Sequence, residues 1–203
     1  MLDKSVPYKV VIMKMPGERL ARIQPQVLPK GFKYRFYVSG DEEQWCDLET
    51  SVLEFPEISK AREYFERDFL PLERELFSRM VFIVNDDGLV VATATAWWSE
   101  YEGRHQAAVH WVAVRPEYQG LGLGKALVSM ALSLLAEIER GNDVYLQTQT
   151  WSHRAIRMYV HFGFCICRND SLGKILSEYE DAMNVLASVY DEEVFREMEL
   201  QSC

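Results

Sequence analysis

The sequence predicts an α/β fold in which a mixed β-sheet carries helices on both faces, in three layers. Two β-rich segments flank Asp86-Asp87-Gly88 and indicate an antiparallel hairpin, because Asp-Gly favours a tight turn. Two strand–helix–strand units follow, over about residues 106–148 and 143–168. Strands joined through a helix pair in parallel, so the two observations together predict a mixed sheet.

The first 79 residues carry the less regular elements. Residues 1–30 are expected to be an irregular extension with one strand, because four prolines interrupt them. The predicted elements are strands at Tyr8–Met15 and Tyr34–Val38, a helix from Asp41 to about Leu53, and a helix at Ser59–Arg79. Asp41 is placed to cap the first helix, and Pro71 is expected to break or kink the second.

From Met80 onwards the apolar pattern is stronger. The predicted elements are strands at Met80–Asn85, Leu89–Trp98 and Gln106–Val114, a helix at Leu123–Arg140, a strand at Asp143–Thr148, a helix at Ser152–Phe162 with Ser152 as its N-cap, a strand at Phe164–Arg168, and a helical tail at Tyr179–Leu200. The main domain is therefore expected over residues 31–170, followed by a C-terminal helical tail over 171–203.

Composition narrows the class of protein. Apolar residues make up 48% and charged residues 26% of the 203, the balance of a globular protein. Because no long apolar run occurs, neither a membrane span nor a secretory signal is expected. The net charge of −9 comes without a basic cluster, so neither nucleic acid nor an anionic membrane is an expected partner.

The four cysteines do not form a recognisable pattern. Cys46, Cys165, Cys167 and Cys203 fit neither a zinc site nor a disulfide framework, so we expect buried thiols, with a metal or redox role as the alternative. Cys165 and Cys167 are expected to share one face of a strand. Without an export signal, a cytoplasmic location is expected.

A glycine-rich loop joins the predicted strand at Gln106–Val114 to the predicted helix at Leu123–Arg140. It contains Gly120, Gly122 and Gly124 at alternate positions, directly before and within the helix start. Such a loop leaves several backbone N–H groups unpaired at the positive end of the helix dipole, which suits a phosphate or pyrophosphate. The simpler interpretation is a tight strand-to-helix connection, but three alternate glycines exceed what that requires.

Neither common nucleotide motif fits this loop. A P-loop needs Gly where the chain has Gln119, and Ser or Thr where it has Ala126. The dinucleotide fingerprint needs a third glycine where Lys125 stands, and an acidic residue after the next strand, which offers Gln147, Thr148 and Gln149.

Two segments in order and at the right separation resemble the GNAT N-acetyltransferase family. Gln119-Gly120-Leu121-Gly122-Leu123-Gly124 is similar to the Gln/Arg-x-x-Gly-x-Gly/Ala loop of that family, and it follows Val112-Ala113-Val114-Arg115-Pro116. The second segment, Ser152 to Phe164, resembles the family's Asn-x-x-Ala-x-x-x-Tyr-x-x-x-Gly-Phe stretch, with Ser152 in place of the commonest Asn.

The resemblance implies transfer of an acetyl group from acetyl-CoA to an amine, without a metal. The implied cofactor-binding residues are Val112, Val114, Gln119, Gly120, Leu121, Gly122, Leu123, Gly124, Lys125, Ala126 and Ser152. The loop would hold the pyrophosphate, and the backbone of Val112 and Val114 would pair with the pantetheine arm. The sheet would splay between the strands at 106–114 and 143–148 to admit the thioester.

Transfer also requires proton chemistry. Tyr159 matches the family tyrosine that protonates the leaving sulfur, although its position also suits helix packing. His110 is one candidate for the base that deprotonates the amine, since it is expected to share the side of Val112 on the strand; it could instead be a structural histidine of the core. Glu100 is the other candidate; it could instead attract a cationic acceptor or cap a loop. A backbone N–H near Val112 would stabilise the oxyanion.

The acceptor itself is poorly defined by the sequence. Trp97, Trp98, Tyr101 and Trp111 are expected near a cleft mouth, where they and neighbouring glutamates could hold an ammonium group, or could simply pack. We therefore expect a primary amine of a small molecule or peptide as acceptor. The alternatives are a catalytically silent acyl-CoA-binding regulator and an acyltransferase with a different acyl donor or an oxygen acceptor.

Because no last strand is predicted after Ser171, a homodimer that completes the sheet is left open.

Overall fold

The structure is a computed structural model that describes residues 2–203. Its strands are β1 (Val10–Met15), β2 (Phe32–Phe36), β3 (Met80–Asn85), β4 (Val90–Tyr101), β5 (Arg104–Val114), β6 (Val144–Gln149), β7 (Cys165–Ile166), β8 (Ser171–Leu172) and β9 (Ile175–Leu176). Its α-helices are α1 (Gly17–Leu20), α2 (Glu42–Ser51), α3 (Ile58–Tyr64), α4 (Glu73–Arg79), α5 (Leu123–Ile138), α6 (His153–Phe162), α7 (Tyr179–Val189) and α8 (Glu192–Leu200).

Seven strands form one mixed sheet in the order β2-β3-β4-β5-β6-β1-β7. β3 pairs antiparallel with β2 and β4, and β1 pairs antiparallel with β6 and β7. β5 and β6 are parallel, with Ala107 opposite Val144 and Ala108 opposite Tyr145. The predicted class, a mixed sheet with helices on both faces, is confirmed.

The chain forms two compact units. The central unit comprises Ile23–Trp97 and Val109–Glu137. The terminal unit comprises the described residues up to Arg22, together with Trp98–Ala108 and Ile138–Cys203. The core of the central unit includes the fully buried rings of Trp45, Phe65 and Phe69. In the terminal unit, Ile12, Ala108, Tyr145, Cys167 and Leu172 form a buried cluster.

The segment around Pro71 breaks as predicted. Where one helix was expected over Ser59–Arg79, α3 is followed by a π-helical turn at Phe65–Phe69, a 3-10 turn at Leu70–Leu72, and then α4. Proline lacks the N–H that would continue the α-helical ladder, and its ring crowds the preceding turn.

Two predicted helix caps occupy the right positions but do not cap. Asp41 and Ser152 precede α2 and α6, and neither side chain bonds a helix N–H. The Asp41 carboxylate instead accepts from the Val38 N–H at 2.8 Å and from the Arg35 guanidinium at 2.6 Å. The competing partners lie before the helix, so they hold the carboxylate away from its first turn.

The expectation of buried thiols is confirmed for two of the four cysteines and is wrong for the other two. Cys165 and Cys203 form a disulfide, while Cys46 and Cys167 are buried thiols. The Cys203 N–H donates to the Ile166 carbonyl at 2.9 Å, and its carbonyl accepts from the Arg168 N–H at 2.7 Å. These bonds bring Cys203 beside β7, a long-range pairing that the local spacing of the cysteines does not reveal.

The tail is helical, as predicted, but it is interrupted. A short hairpin, β8–β9, precedes α7, and α7 ends before Asp191, whose side chain accepts from the Val194 N–H and caps α8. Among residues 2–203, none of the helices is long and apolar enough to cross a membrane.

Candidate functional site

The glycine loop lies in the central unit, between a 3-10 turn at Pro116–Tyr118 and the start of α5. Gly120 and Gly122 have φ of +82° and +83°, which L side chains rarely adopt, and nothing lies within 4 Å of where a Cβ would be. The loop from Gln119 to Gly122 is exposed to solvent. The glycines therefore leave open space directly above the backbone, at the N-terminus of a 16-residue helix.

Backbone bonds define which amides of this loop are already used. The Gln119 N–H donates to the Pro116 carbonyl at 3.3 Å, and the Ala126 N–H donates to the Gly122 carbonyl at 3.1 Å. Both residues are among the predicted cofactor ligands. The amides of the residues between them, Gly120 to Lys125, are thus the better candidates for binding an anion.

The strand end that leads into the loop is firmly held. Arg115 is buried; its Nε donates to the Val90 carbonyl at 2.8 Å, and its guanidinium pairs with Asp47 at 2.6 Å. The Gln119 side chain donates to the Val114 carbonyl at 2.9 Å. Sequence reasoning missed Arg115 as an anchor, because nothing local distinguishes it from a surface arginine.

β5 contains an irregularity at its centre. Trp111 has φ of +50°, which interrupts the two-residue alternation of side chains. The rings of His110 and Trp111 both pack against the same helical segment. The ring centre of His110 lies 6.4 Å from that of Phe69, and the ring centre of Trp111 lies 4.9 Å from that of Tyr64. The regular strand alternation is therefore interrupted at Trp111, between His110 and Val112.

His110 has an unusual environment. Its Nδ1 is buried and has no hydrogen-bond partner among residues 2–203. Burial lowers the pKa of His110 to about 4, although the charge of Asp68 acts in the opposite direction. The imidazole is therefore neutral at physiological pH, and a role as base would fall to Nε2.

The terminal unit holds the remaining predicted residues. Tyr159 is buried on α6, with its ring 6.0 Å from that of Phe164. Ser152 ends a 3-10 turn and directly precedes α6.

Glu100 lies at the exposed end of β4 and bonds to His105. Its carboxylate is 2.8 Å from His105 Nδ1, and Glu139 is 2.9 Å from His105 Nε2. The hydrogen bond to Glu100 is the main cause that raises the pKa of His105. Glu100 thus has an ion-pair partner that the sequence did not predict.

The four aromatic residues expected at a cleft mouth have different surroundings. In the terminal unit, Trp98 stacks on His105, and Tyr101 faces the Lys174 ammonium at 5.7 Å. In the central unit, Trp97 contacts Phe69, while Trp111 joins the rings of Trp45, Phe55 and Tyr64.

Sequence reasoning also missed Glu49, which is fully buried on α2. The available signal was its spacing: Glu49 follows Trp45 by four residues and so falls on the apolar face of the helix. Within residues 2–203, no group of three or more His, Cys, Asp or Glu side chains is placed to hold a metal ion.

Comparison with solved structures supports the same fold. A GCN5-related N-acetyltransferase from Sphaerobacter thermophilus aligns with a TM-score of 0.60 and 20% identity, over 79% of this chain and 49% of that one. An acetyltransferase of the GNAT family from Colwellia psychrerythraea gives 0.58 and 14%, over 79% and 54%. A tandem GNAT protein from the clavulanic acid biosynthesis pathway gives 0.57 and 19%, over 80% and 51%.

The chain spans about half the length of these proteins, and at such identities the likeness shows the fold alone. A search of curated protein sequences finds no significant match. The model of the acetyltransferase (GNAT) family matches residues 42–164, which include the glycine loop and all of α6. That match covers more than half of the sequence, and the chain therefore belongs to the GNAT acetyltransferase family.

Proposed function

We propose that this chain is an N-acetyltransferase that transfers the acetyl group of acetyl-CoA to a primary amine of a small molecule or peptide. The observation that carries the proposal is the glycine loop before α5. Gly120 and Gly122 keep open the space that their Cβ atoms would fill, beside backbone amides at a helix N-terminus. Family membership makes acetyl-CoA the first donor to consider.

The residues present fit a pyrophosphate. The amides of Gly120, Leu121, Gly122, Leu123, Gly124 and Lys125 would donate to it, helped by the dipole of α5. When bound, acetyl-CoA supplies an acetyl thioester for attack by the amine. The Val114 carbonyl already accepts from Gln119 but has a second lone pair, so it and Val112 stay candidates for pairing with the pantetheine arm.

The proton steps fall to three side chains. An amine with a pKa near 10 must lose a proton before it attacks, and the departing thiolate must gain one. We assign the second step to the Tyr159 hydroxyl. For the first step, His110 and Glu100 stay alternatives: His110 is neutral at physiological pH, whereas Glu100 is exposed but bonded to His105.

Two further expectations stay predictions. A homodimer would be tested by size-exclusion chromatography with light scattering, and a monomer would contradict it. A cytoplasmic location also stays a prediction; the Cys165–Cys203 disulfide does not favour it, because disulfides are rare in reducing compartments.

The function is tested by titrating acetyl-CoA against the wild type and two matched variants, with NAD, ATP and GTP as controls. Gly122→Ala places a methyl group over the loop. Gly88→Ala is its control, because Gly88 has the same φ of +83° and equally open space but lies in a hairpin turn. Both variants should lose about 1 kcal/mol of stability.

We expect acetyl-CoA to raise the melting temperature of the wild type and of Gly88→Ala. Gly122→Ala should bind acetyl-CoA at least about tenfold more weakly, a difference of about 1.4 kcal/mol. Equal affinity of the two variants, or binding of a nucleotide in place of acetyl-CoA, would contradict the proposed cradle.

A further inference from the structure

Three of the four cysteines lie together in the terminal unit. Cys165 and Cys203 form the disulfide, and the sulfur of Cys167 lies 3.7 Å from the sulfur of Cys203. Cys167 is a free thiol, is 1% exposed, and has no part in the acetyl transfer proposed for the chain. Thiol–disulfide exchange begins with a thiolate beside a disulfide sulfur, and these three side chains have that arrangement.

The backbone places Cys203 opposite Cys167 and not opposite Cys165. The Cys203 N–H donates to the Ile166 carbonyl at 2.9 Å, and the Cys203 carbonyl accepts from the Arg168 N–H at 2.7 Å. These two bonds lie on either side of Cys167, which is the pattern made by two residues that face each other in parallel strands. Cys203 is therefore bonded covalently to one cysteine and paired through its backbone with the other.

Both cysteines lie within bonding distance of Cys203. The Cα atoms of Cys165 and Cys203 are 5.8 Å apart. Paired strands lie about 4.8 Å apart, so the Cα of Cys167 is expected at about this distance from that of Cys203. Because disulfides join Cα atoms that are about 4.4–6.8 Å apart, the backbone permits either pairing without moving.

The surroundings of Cys165 suit the thiol that an exchange would release. The Lys14 carbonyl lies 3.3 Å from the Cys165 sulfur and is placed to accept a hydrogen bond once this sulfur carries a proton. Lys14 and Cys165 face each other in the antiparallel pair of β1 and β7, so the sheet itself holds this acceptor in place. The released thiol therefore gains a partner without any change in strand pairing.

We propose that Cys165, Cys167 and Cys203 form a thiol–disulfide exchange site in which Cys203 alternates between two partners. The Cys167 thiolate attacks the Cys203 sulfur, a Cys167–Cys203 bond forms, and Cys165 leaves as a thiolate that takes up a proton. One S–S bond forms as another breaks, so no oxidant or reductant is consumed. In both states Cys203, which follows α8, stays tethered beside β7.

The exchange changes which thiol a reagent can reach. Cys167 is buried, whereas Cys165 is partly exposed. Exchange therefore converts a protected thiol into an accessible one that can be modified. This site does not depend on the proposed acetyl transfer, because none of its residues belongs to the glycine loop or to the proton steps.

The buried position of Cys167 sets the pace of the exchange. Burial is the main cause that raises the pKa of Cys167 to about 12; Asp170 and Asp143 act in the same direction and Lys14 in the opposite one. Since the thiolate is the attacking species, little of it is present at neutral pH. We therefore expect exchange over minutes to hours, faster as the pH is raised.

The test traps the released thiol. The full chain is incubated, folded and without reductant, with N-ethylmaleimide at about pH 8, and tandem mass spectrometry after digestion at low pH locates the label and the disulfide. We expect progressive labelling of Cys165 as the Cys167–Cys203 disulfide accumulates. A Cys165–Cys203 disulfide that persists without labelling of Cys165, or with label on Cys167, would overturn the proposal.

Cys167→Ala removes the attacking thiol, and Cys46→Ala, which removes the other buried thiol, is its matched control. Labelling of Cys165 should be at least about tenfold slower in Cys167→Ala than in the wild type, and unchanged in Cys46→Ala. Equal labelling rates in Cys167→Ala and the wild type would mean that Cys165 is released by another route, and the exchange site would be rejected.

Should Cys167→Ala fail to fold, Cys165→Ser decides. The reduced variant is incubated with oxidised glutathione, which takes up the two electrons that a new disulfide releases, and its thiols are then identified by mass. We expect a Cys167–Cys203 disulfide, with Cys46 as the thiol that stays free. Free or glutathione-bound Cys167 and Cys203, under conditions in which the wild type regains its disulfide, would contradict the proposed pairing.

Discussion

The two units differ in how many of their buried polar side-chain atoms lack a hydrogen-bond partner. In the terminal unit, Gln106 accepts from the Gly173 N–H at 3.0 Å and donates to the Ser171 carbonyl at 2.8 Å. Thr150 likewise bonds to the Pro7 carbonyl and to the Lys9 N–H. The buried side-chain atoms without a partner in residues 2–203 belong to Trp45, Glu49, Thr93, Thr95 and His110 in the central unit, and to Ser177 in the terminal unit.

We interpret this difference as one between a unit that mainly stabilises the fold and a unit that is suited to bind a ligand. An unpaired buried polar group costs about 1–3 kcal/mol, so a unit that keeps several of them gives up stability. Functional sites are where such losses are tolerated. The contrast agrees with a ligand-binding role for the central unit, and substitutions in both units test it.

The largest expected effect concerns the covalent link in the terminal unit. Cys203→Ser opens a disulfide between residues 38 apart in sequence, which should lower the free energy of unfolding by roughly 3–4 kcal/mol. Urea denaturation measures it. Added reductant should leave the stability of the variant unchanged and should lower that of the wild type by the same amount, roughly 3–4 kcal/mol. If reductant does not change the stability of the wild type, the disulfide does not stabilise the fold.

The next effect is a pH dependence from the central unit. Burial holds the pKa of His110 at about 4, below its usual value of 6.5. The unfolded chain therefore takes up a proton between pH 6.5 and 4 that the folded chain does not, and stability falls as the pH is lowered through this window. A loss of roughly 2–3 kcal/mol is expected, and His110→Leu should flatten this fall.

His105, in the terminal unit, is the control for this experiment. Its hydrogen bond to Glu100 raises its pKa, so its contribution is fully present below pH 6.5 and is lost as the pH rises through the raised value. Since the His105 and Glu100 side chains are both exposed, this ion pair should contribute less than about 1 kcal/mol to the free energy of unfolding. If His110→Leu and His105→Gln change the pH profile in the same direction, the contrast is wrong.

Thr-to-Val substitutions should have opposite signs in the two units. Thr93→Val and Thr95→Val remove buried hydroxyls that lack partners, and each should be neutral or stabilising by up to about 1 kcal/mol. Thr150→Val removes a hydroxyl with two partners and should destabilise by about 1–3 kcal/mol. Chemical denaturation compares the three, and a shared sign would mean that the two units do not differ.

Much of the fold follows from local patterns in the sequence. The Asp86-Asp87-Gly88 turn, the apolar repeat of α5 and the break at Pro71 each depend on residues close together in the chain. The same holds for the glycine loop, whose backbone conformation only glycine adopts readily. These features were predictable because their causes lie within a few residues.

The rest depends on contacts between distant residues. Nothing near Val10–Met15 reveals that this strand lies between β6 and β7 in the sheet. Likewise, Trp111 looks like an ordinary strand residue until its φ of +50° places it beside Tyr64. Glu49 was hidden because acidic residues are assigned to the surface by default. Long-range packing decides each of these positions, and a single sequence does not display it.

The proposed acetyl transfer predicts that acetylated amine forms when the chain is supplied with acetyl-CoA and a suitable acceptor. The wild type, Tyr159→Phe and Tyr179→Phe are each incubated with acetyl-CoA and a panel of amines that includes phenethylamine, and product is measured by mass spectrometry. Tyr179 is the matched control, a second buried tyrosine of the terminal unit. We expect acetylated amine with the wild type, a kcat about 100-fold lower for Tyr159→Phe with an unchanged KM for acetyl-CoA, and no change for Tyr179→Phe. If acetyl-CoA binds and no amine is acetylated, the chain is a silent acyl-CoA-binding module and the proposed transfer is wrong.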